Sequence, residues 1–311
     1  MSLQTPVIIS LFHLSMAIRD DLSGDVRREY LRCLEEVGEE DPYAGRDTLG
    51  IRDVLRAHFL IADFFYREGE GIGGIGPRDL HLLHSAMSRQ FVSLGGRLKW
   101  STKYEICATL LFGLVKDHPF HDANKRTAFL STVHYLYVHG RTPSLSHKEL
   151  EDFIVDIADN RLGKYKRYAA LRKAKKVDDP EVKFIADFLR RYTRTIDKRE
   201  YIVTFRELRK ILNRFECDIS DPVKNFSEVT KRVRKRKLIS RKEYWETKRV
   251  MQVSCPGMTR EVPHSTVREI RKQAGLTFKD GIDSSEFYSG ADSMGGLISY
   301  YRAPLLSLAN R

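Results

Sequence analysis

Apolar residues recur along this chain at two kinds of spacing, and the change from one to the other marks its organisation. From Ile51 to Tyr66 they fall at Val54, Leu55, Phe59, Leu60, Ala62, Phe64 and Phe65, which predicts a helix with a broad buried face. Asp25–Val37 predicts a charged amphipathic helix, and Leu80–Met87 a short one whose first turn Pro77 and Asp79 suit. Tyr104–Val115 and Ala128–Val138 are apolar, helix-patterned runs. Between Leu80–Met87 and Tyr104–Val115, Phe91, Val92 and Leu94 precede Gly95-Gly96, and Leu98 and Trp100 follow, a short hairpin signal with a glycine turn. An exposed hairpin edge can accept an extended peptide; an ordinary surface loop is the alternative. From Tyr201 the pattern becomes mixed. Phe205–Phe215 predicts an amphipathic helix, Tyr244–Trp245 and Val250–Val253 predict strands, and Val262–Leu276 ends in a helix.

The chain of 311 residues has room for two domains, and 41% hydrophobic with 31% charged residues is a soluble globular balance. The formal charge of +12 is carried wholly by residues 198–279, leaving the remainder formally neutral, so charge divides the chain into two functional halves. Cys33, Cys107, Cys217 and Cys255 are scattered without metal-ligand spacing, which fits a reduced cytoplasm. Pro6–Ile18 is too weakly apolar for a signal peptide, and no stretch is long and apolar enough to cross a membrane. Gly71–Gly76 matches G-x-G-x-x-G, yet it follows a predicted helix and lacks the acidic residue a dinucleotide site needs downstream; a flexible loop fits better. Ser284–Arg311 reads as a tail, partly disordered.

The chemistry concentrates in His118-Pro119-Phe120-His121-Asp122-Ala123-Asn124-Lys125-Arg126-Thr127-Ala128. Pro119 keeps His118 and Phe120 in a loop, and Asp122 and Asn124 are good caps for the helix that follows. A helix N-terminus there would aim free N–H groups at one spot, which attracts phosphate. Lys125 and Arg126 oppose the helix dipole in the first turn, and an anionic ligand would justify them.

This string resembles the signature of the Fic/Doc (fido) family, HPFx(D/E)GNGRxxR, and most of all its Doc (death-on-curing) version, HxFxDANKRTA. The glycine loop with Arg78-Asp79-Leu80, Leu82-Leu83 and Ser85-Ala86 is similar to the Doc pattern too. The resemblance implies a mainly α fido helical bundle with a small β-hairpin flap, closed by helices at Lys148–Asp159 and Glu181–Thr195. A smaller basic α+β domain follows it. The organisation expected is an N-terminal helical extension (1–50), a fido domain (51–197), a basic α+β module (198–283) and the tail (284–311).

In the roles that the resemblance implies, His118 is the general base that takes a proton from a target hydroxyl, and Asp122 holds Mg²⁺. Ala123, Asn124 and Lys125 form the anion hole, and Arg126 clamps a phosphate of the donor, ATP. Phe120 is a core anchor; His121 and Thr127 are exposed or cap locally. The second Arg of the general signature falls at Phe129, and its second glycine at Lys125. Doc-type members share both departures and pass the γ-phosphoryl group to a protein Ser, Thr or Tyr hydroxyl, on a translation elongation factor, as toxins. AMP transfer is the alternative. No (S/T)xxxE(G/N) inhibitory string occurs, so restraint is expected from an antitoxin in trans, with restraint by the tail left open.

Phe205–Leu212 with Val262–Leu276 resembles the HicA-type fold, akin to a double-stranded-RNA-binding domain, though the HicA catalytic His has no counterpart. Lys231, Arg232, Arg234, Lys235, Arg236 and Lys237 could neutralise phosphates of RNA or the ribosome, or form a solvated face or mobile basic loop. A function of a different class stays open: a nucleotide-regulated, non-enzymatic nucleic-acid binder.

Overall fold

A computed structural model describes residues 22–69, 71–174, 177–196, 202–236, 243–277, 280, 287–288 and 293–311. It is mainly helical, with small antiparallel sheets, and divides into two units. The first holds residues 22–196 and 301–311; the second holds the described residues from 202 to 300.

In the first unit, α1 (Gly24–Val37) packs on α2 (Ile51–Arg67), and α3 (Leu80–Ser88) follows the glycine loop. Asp79 caps α3 by accepting the His81 N–H at 2.7 Å, while Pro77 lies outside the helix, bridged to Phe120. Strands β1 (Ser93–Leu94) and β2 (Arg97–Leu98) form the expected hairpin; Gly95 and Gly96 both take positive φ, at 57° and 77°, as its tight turn requires. Next come α4 (Lys103–Lys116) and α5 (Asn124–Val138), the helices that flank the motif loop and pack on each other. Both are buried along most of their length, which explains why they read as apolar. Gly113 lets α4 approach α3, since a Cβ there would lie 3.2 Å from the Ala86 Cα.

Strand β3 (Arg141–Pro143) leads to α6 (His147–Ala158), the short α7 (Lys166–Lys173) and α8 (Pro180–Arg191). The expected helix Glu181–Thr195 stops at Arg191; Thr193–Thr195 is strand β4, paired antiparallel with β3. The β-branched threonines suit that strand better than a helix end.

The second unit runs α9 (Phe205–Asn213), β5 (Cys217–Ile219), β6 (Phe226–Arg236), β7 (Glu243–Ser254), α10 (His264–Ala274) and α11 (Ser293–Tyr300). Its sheet is antiparallel in the order β5-β6-β7. Cys217, Ile219, Val229, Val253 and Cys255 share one core with Leu208, Ile211 and Leu212 of α9 and Val267 and Ile270 of α10. The two expected strands at Tyr244–Trp245 and Val250–Val253 are one strand. The basic run is likewise not a loop: Lys231–Arg236 belongs to β6, and Lys237 lies outside the described residues.

The tail divides. The final helix α12 (Arg302–Ala309) belongs to the first unit, where Pro304, Leu305 and Leu308 are buried. Ser307 and Arg311 donate to Glu151 of α6 at 2.6 and 2.5 Å, and Arg302 pairs with Glu68. The last part of the expected tail is thus a packed helix, because its few apolar residues find a partner far back in the chain. Among the described residues no helix is long and apolar enough to cross a membrane, and the four cysteines are free and buried.

Candidate active site

The motif loop begins where α4 ends. Lys116 anchors that end by donating to the Ala158 carbonyl at 2.9 Å and to Asn160 Oδ1 at 2.8 Å. His118 follows at φ 46°, in the left-handed region uncommon for a side chain with a Cβ, and is exposed. Pro119 and Phe120 are buried. The loop then pairs with the segment before α3: Arg78 N–H donates to the Pro119 carbonyl at 2.8 Å and His121 N–H to the Gly76 carbonyl at 3.3 Å.

Asn124 does not cap α5. It is the helix's first residue, and its amide turns back to hold Phe120 at both ends, accepting the Phe120 N–H and donating to its carbonyl, each at 2.9 Å. Asp122 does not cap it either. The N-cap is Ala123, left-handed at φ 59°, and no side chain caps the helix. By contrast α4, α6 and α9 each carry a full capping box, Thr102/Glu105, Ser146/Glu149 and Thr204/Glu207. Helix α5 shares the lack of a side-chain cap with α1, α7, α8 and α10, but here the open start follows directly on the motif loop, an arrangement that suits an anion.

Asp122 is the carboxylate of the loop. Its Oδ2 accepts the Gly73 N–H at 2.8 Å and Arg126 Nη2 at 3.1 Å, and its Oδ1 accepts the Ala123 N–H. Burial pushes its carboxyl up, but the two backbone N–H groups and the Arg126 charge outweigh burial and hold it below the usual carboxylate range. Arg126 itself is 4% exposed, with its guanidinium 4.3 Å over the Phe65 ring. Lys125 is half-buried beside it.

The glycine run lies against this loop. A Cβ on Gly74 would come within 2.6 Å of the His121 Cβ, so close backbone approach is what Gly74 supplies. Gly76, at φ 86°, donates its N–H to His58 Nε2 at 2.9 Å. With Nε2 accepting, the His58 proton sits on Nδ1, which donates to Thr127 Oγ1 at 3.1 Å. The imidazole also stacks on Phe120, centroids 4.0 Å apart and planes 10° from parallel. Burial, then the Arg126 charge, pulls the His58 pKa down to about 3, so the ring is neutral.

His58 escaped the sequence reading because a single His within an amphipathic helix gives no signal of its own. Thr127, expected at the surface or in a local cap, is fully buried as the partner of His58. Phe120 is the anchor it was expected to be. His121 is exposed. Phe129 is fully buried, with its ring edge-on to Tyr301 at 5.3 Å. That position therefore presents no group to the loop.

The residues fit a divalent cation in one way. Among the described residues no group of three or more His, Cys, Asp and Glu could hold a metal. Asp122 offers one ionised, partly exposed carboxylate, and Mg²⁺ is commonly held by one or two carboxylates together with substrate phosphates.

The basic positions of β6 do not act as one group. The Lys231 amino group donates to the Ala274 carbonyl at the end of α10 at 2.5 Å, on the core side. Arg232 lies over the Trp245 ring at 5.2 Å, and Lys235 pairs with Glu246 at 2.5 Å. Arg234 and Arg236 occupy strand positions opposite Trp245 and Glu243.

No curated protein and no solved structure matches the chain. Residues 48–136, which run from just before α2 into the last turn of α5 and take in the glycine loop, His58 and the whole motif loop, match the model of the Fic/DOC family.

Proposed function

We propose that the first unit is a protein-modifying transferase that moves the γ-phosphoryl group of ATP to a hydroxyl of a target protein. The observation that carries this reading is the pairing of an exposed His118 with the uncapped start of α5, the two held on one short loop. His118 takes the proton of a Ser, Thr or Tyr hydroxyl. The hydroxyl oxygen bonds to the γ-phosphorus as the bond to the β,γ-bridging oxygen breaks, and ADP leaves with that electron pair. Catalysis of this kind is mostly positioning and charge neutralisation. The N–H groups at the start of α5, Lys125 and Arg126 supply positive character for the phosphates. Mg²⁺, when bound, neutralises phosphate charge; Asp122 is the residue that would hold it. Phe129 and Lys125 favour phosphoryl over AMP transfer, because the buried Phe129 cannot serve as a second phosphate-binding cation. A translation factor as target, and an antitoxin acting in trans, rest on the Doc resemblance alone.

Incubation of the protein with cell extract and either γ- or α-labelled ATP tests the reading. Label from the γ position alone, abolished by His118→Ala, is expected. Label from the α position would replace phosphoryl by AMP transfer, and no label from either would remove the transferase reading.

A further inference from the structure

We infer that the solvent face of the β5-β6-β7 sheet binds single-stranded RNA, with Trp245 as a base-stacking platform. The inference concerns the second unit and is independent of the transferase reading.

The sheet has two unlike faces. One is the core face under α9 and α10, built by Cys217, Ile219, Val229 and Val253. The register places Arg232 opposite Thr247, Arg234 opposite Trp245, and Thr230 opposite Arg249 on the other face, past the irregularity at Val229/Thr230. Phe226, Glu228, Arg232, Trp245 and Arg249 are exposed there. The two tryptophans of the chain show the contrast: Trp100 is 3% exposed and Trp245 52%. A large aromatic left open on a sheet face forfeits its burial free energy, so its place calls for a ligand rather than for stability.

Charge selects the ligand. Arg232 already rests over the indole at 5.2 Å, a ready-made mixed surface of ring and guanidinium. The acids nearby each have a cation of this unit beside them: Glu216 has Arg232 at 4.0 Å, Glu228 has Arg249 at 3.3 Å, Glu246 has Lys235 at 2.5 Å, and Asp218 has Arg209 at 2.9 Å. The unit as a whole carries the chain's cationic excess. A cationic sheet face with an open aromatic suits a polyanion whose bases are unstacked and can lie flat on the ring. Proteins recognise single-stranded RNA in this way, whereas bases paired inside a duplex cannot reach such a platform. Lys231 is excluded from the surface, since its amino group is spent on the end of α10.

The test uses the full chain carrying Trp100→Phe, so that Trp245 is its single fluorescent indole. Oligouridine should quench the emission, and its affinity, read from the anisotropy of a labelled strand, should fall as salt rises. Trp245→Ala should weaken binding about tenfold, with Trp245→Phe retaining most of the affinity. Arg232→Ala should weaken it and reduce the salt slope by about 1. Unchanged circular dichroism of the variants confirms that they fold. Absence of binding, equal affinity of Trp245→Ala, or tighter binding of duplex RNA, duplex DNA or the matching DNA strand would each overturn the assignment.

Discussion

The backbone N–H of Gly76 donates to Nε2 of His58 at 2.9 Å, and through that bond the glycine loop is tied to the helix in front of it. The same ring reaches Thr127 on α5 and stacks on Phe120 of the motif loop. Three segments that must hold one geometry therefore meet on a single neutral imidazole. Replacing His58 by Ala strands the Gly76 N–H and opens a cavity beneath Phe120. A loss of about 3–5 kcal/mol in urea unfolding is expected. In the Gln variant, which retains an acceptor, transfer should fall more than stability does.

The protonation of His58 gives a pH dependence of defined sign. Its pKa falls from about 6.5 in the unfolded chain to about 3 in the folded one. Between those values the unfolded chain binds a proton that the folded chain does not, so stability is full above about 6.5 and is lost as pH falls towards 3. His134, buried and likewise lowered to about 3, adds to the same slope. Denaturant midpoints measured between neutral and mildly acid pH should fall, and His58→Gln should flatten the fall.

Asp122 accepts from Gly73, Ala123 and Arg126, and its variants separate its charge from its role as an acceptor. Asp122→Ala leaves the nearly buried Arg126 without this carboxylate. Because the carboxylate is itself partly exposed, the expected loss is modest, about 1–2 kcal/mol in thermal unfolding. Asp122→Asn keeps an acceptor for the Gly73 N–H and should unfold nearly as the parent does, yet should transfer no label.

Gly74 and Gly163 make a matched pair. A Cβ at Gly74 would lie 2.6 Å from the His121 Cβ, whereas one at Gly163 would meet nothing within 4 Å. Gly74→Ala should displace the glycine loop from His121, cost about 1–3 kcal/mol and lower transfer. Gly163→Ala should leave both stability and labelling unchanged.

Removal of residues 301–311 tests the final helix. Tyr301 is buried between the Phe129 ring and His147, at 5.3 and 4.8 Å between centroids. Glu151, nearly buried, would keep Lys148 but lose Ser307 and Arg311. Tyr301→Ala alone should cost about 3–5 kcal/mol in urea unfolding of the full chain, and deletion should cost more.

The helices of the first unit and the string His118–Arg126 were legible because each rests on spacing within a few residues. The caps were not. Asn124 looks like a cap from sequence, but its amide is occupied by Phe120 four residues back. Thr127 and His58 are 69 positions apart, and nothing local to either announces the other. The strand nature of Lys231–Arg236 was hidden because Lys and Arg favour strands poorly, and only pairing along β7 decides the matter. The final helix was hidden for a related reason: its three buried apolar residues form no strong stripe until α6 is beside them.

The contact of Arg302 with Glu68 spans 234 positions, and that of Ser307 with Glu151 spans 156. Residues 202–300 lie between the two parts of the first unit. During synthesis the ribosome must therefore complete the whole basic module before the strip that covers Phe129 has emerged. The nascent chain carries the motif loop on an unsealed core for that interval, and the segment synthesised later is free to fold first.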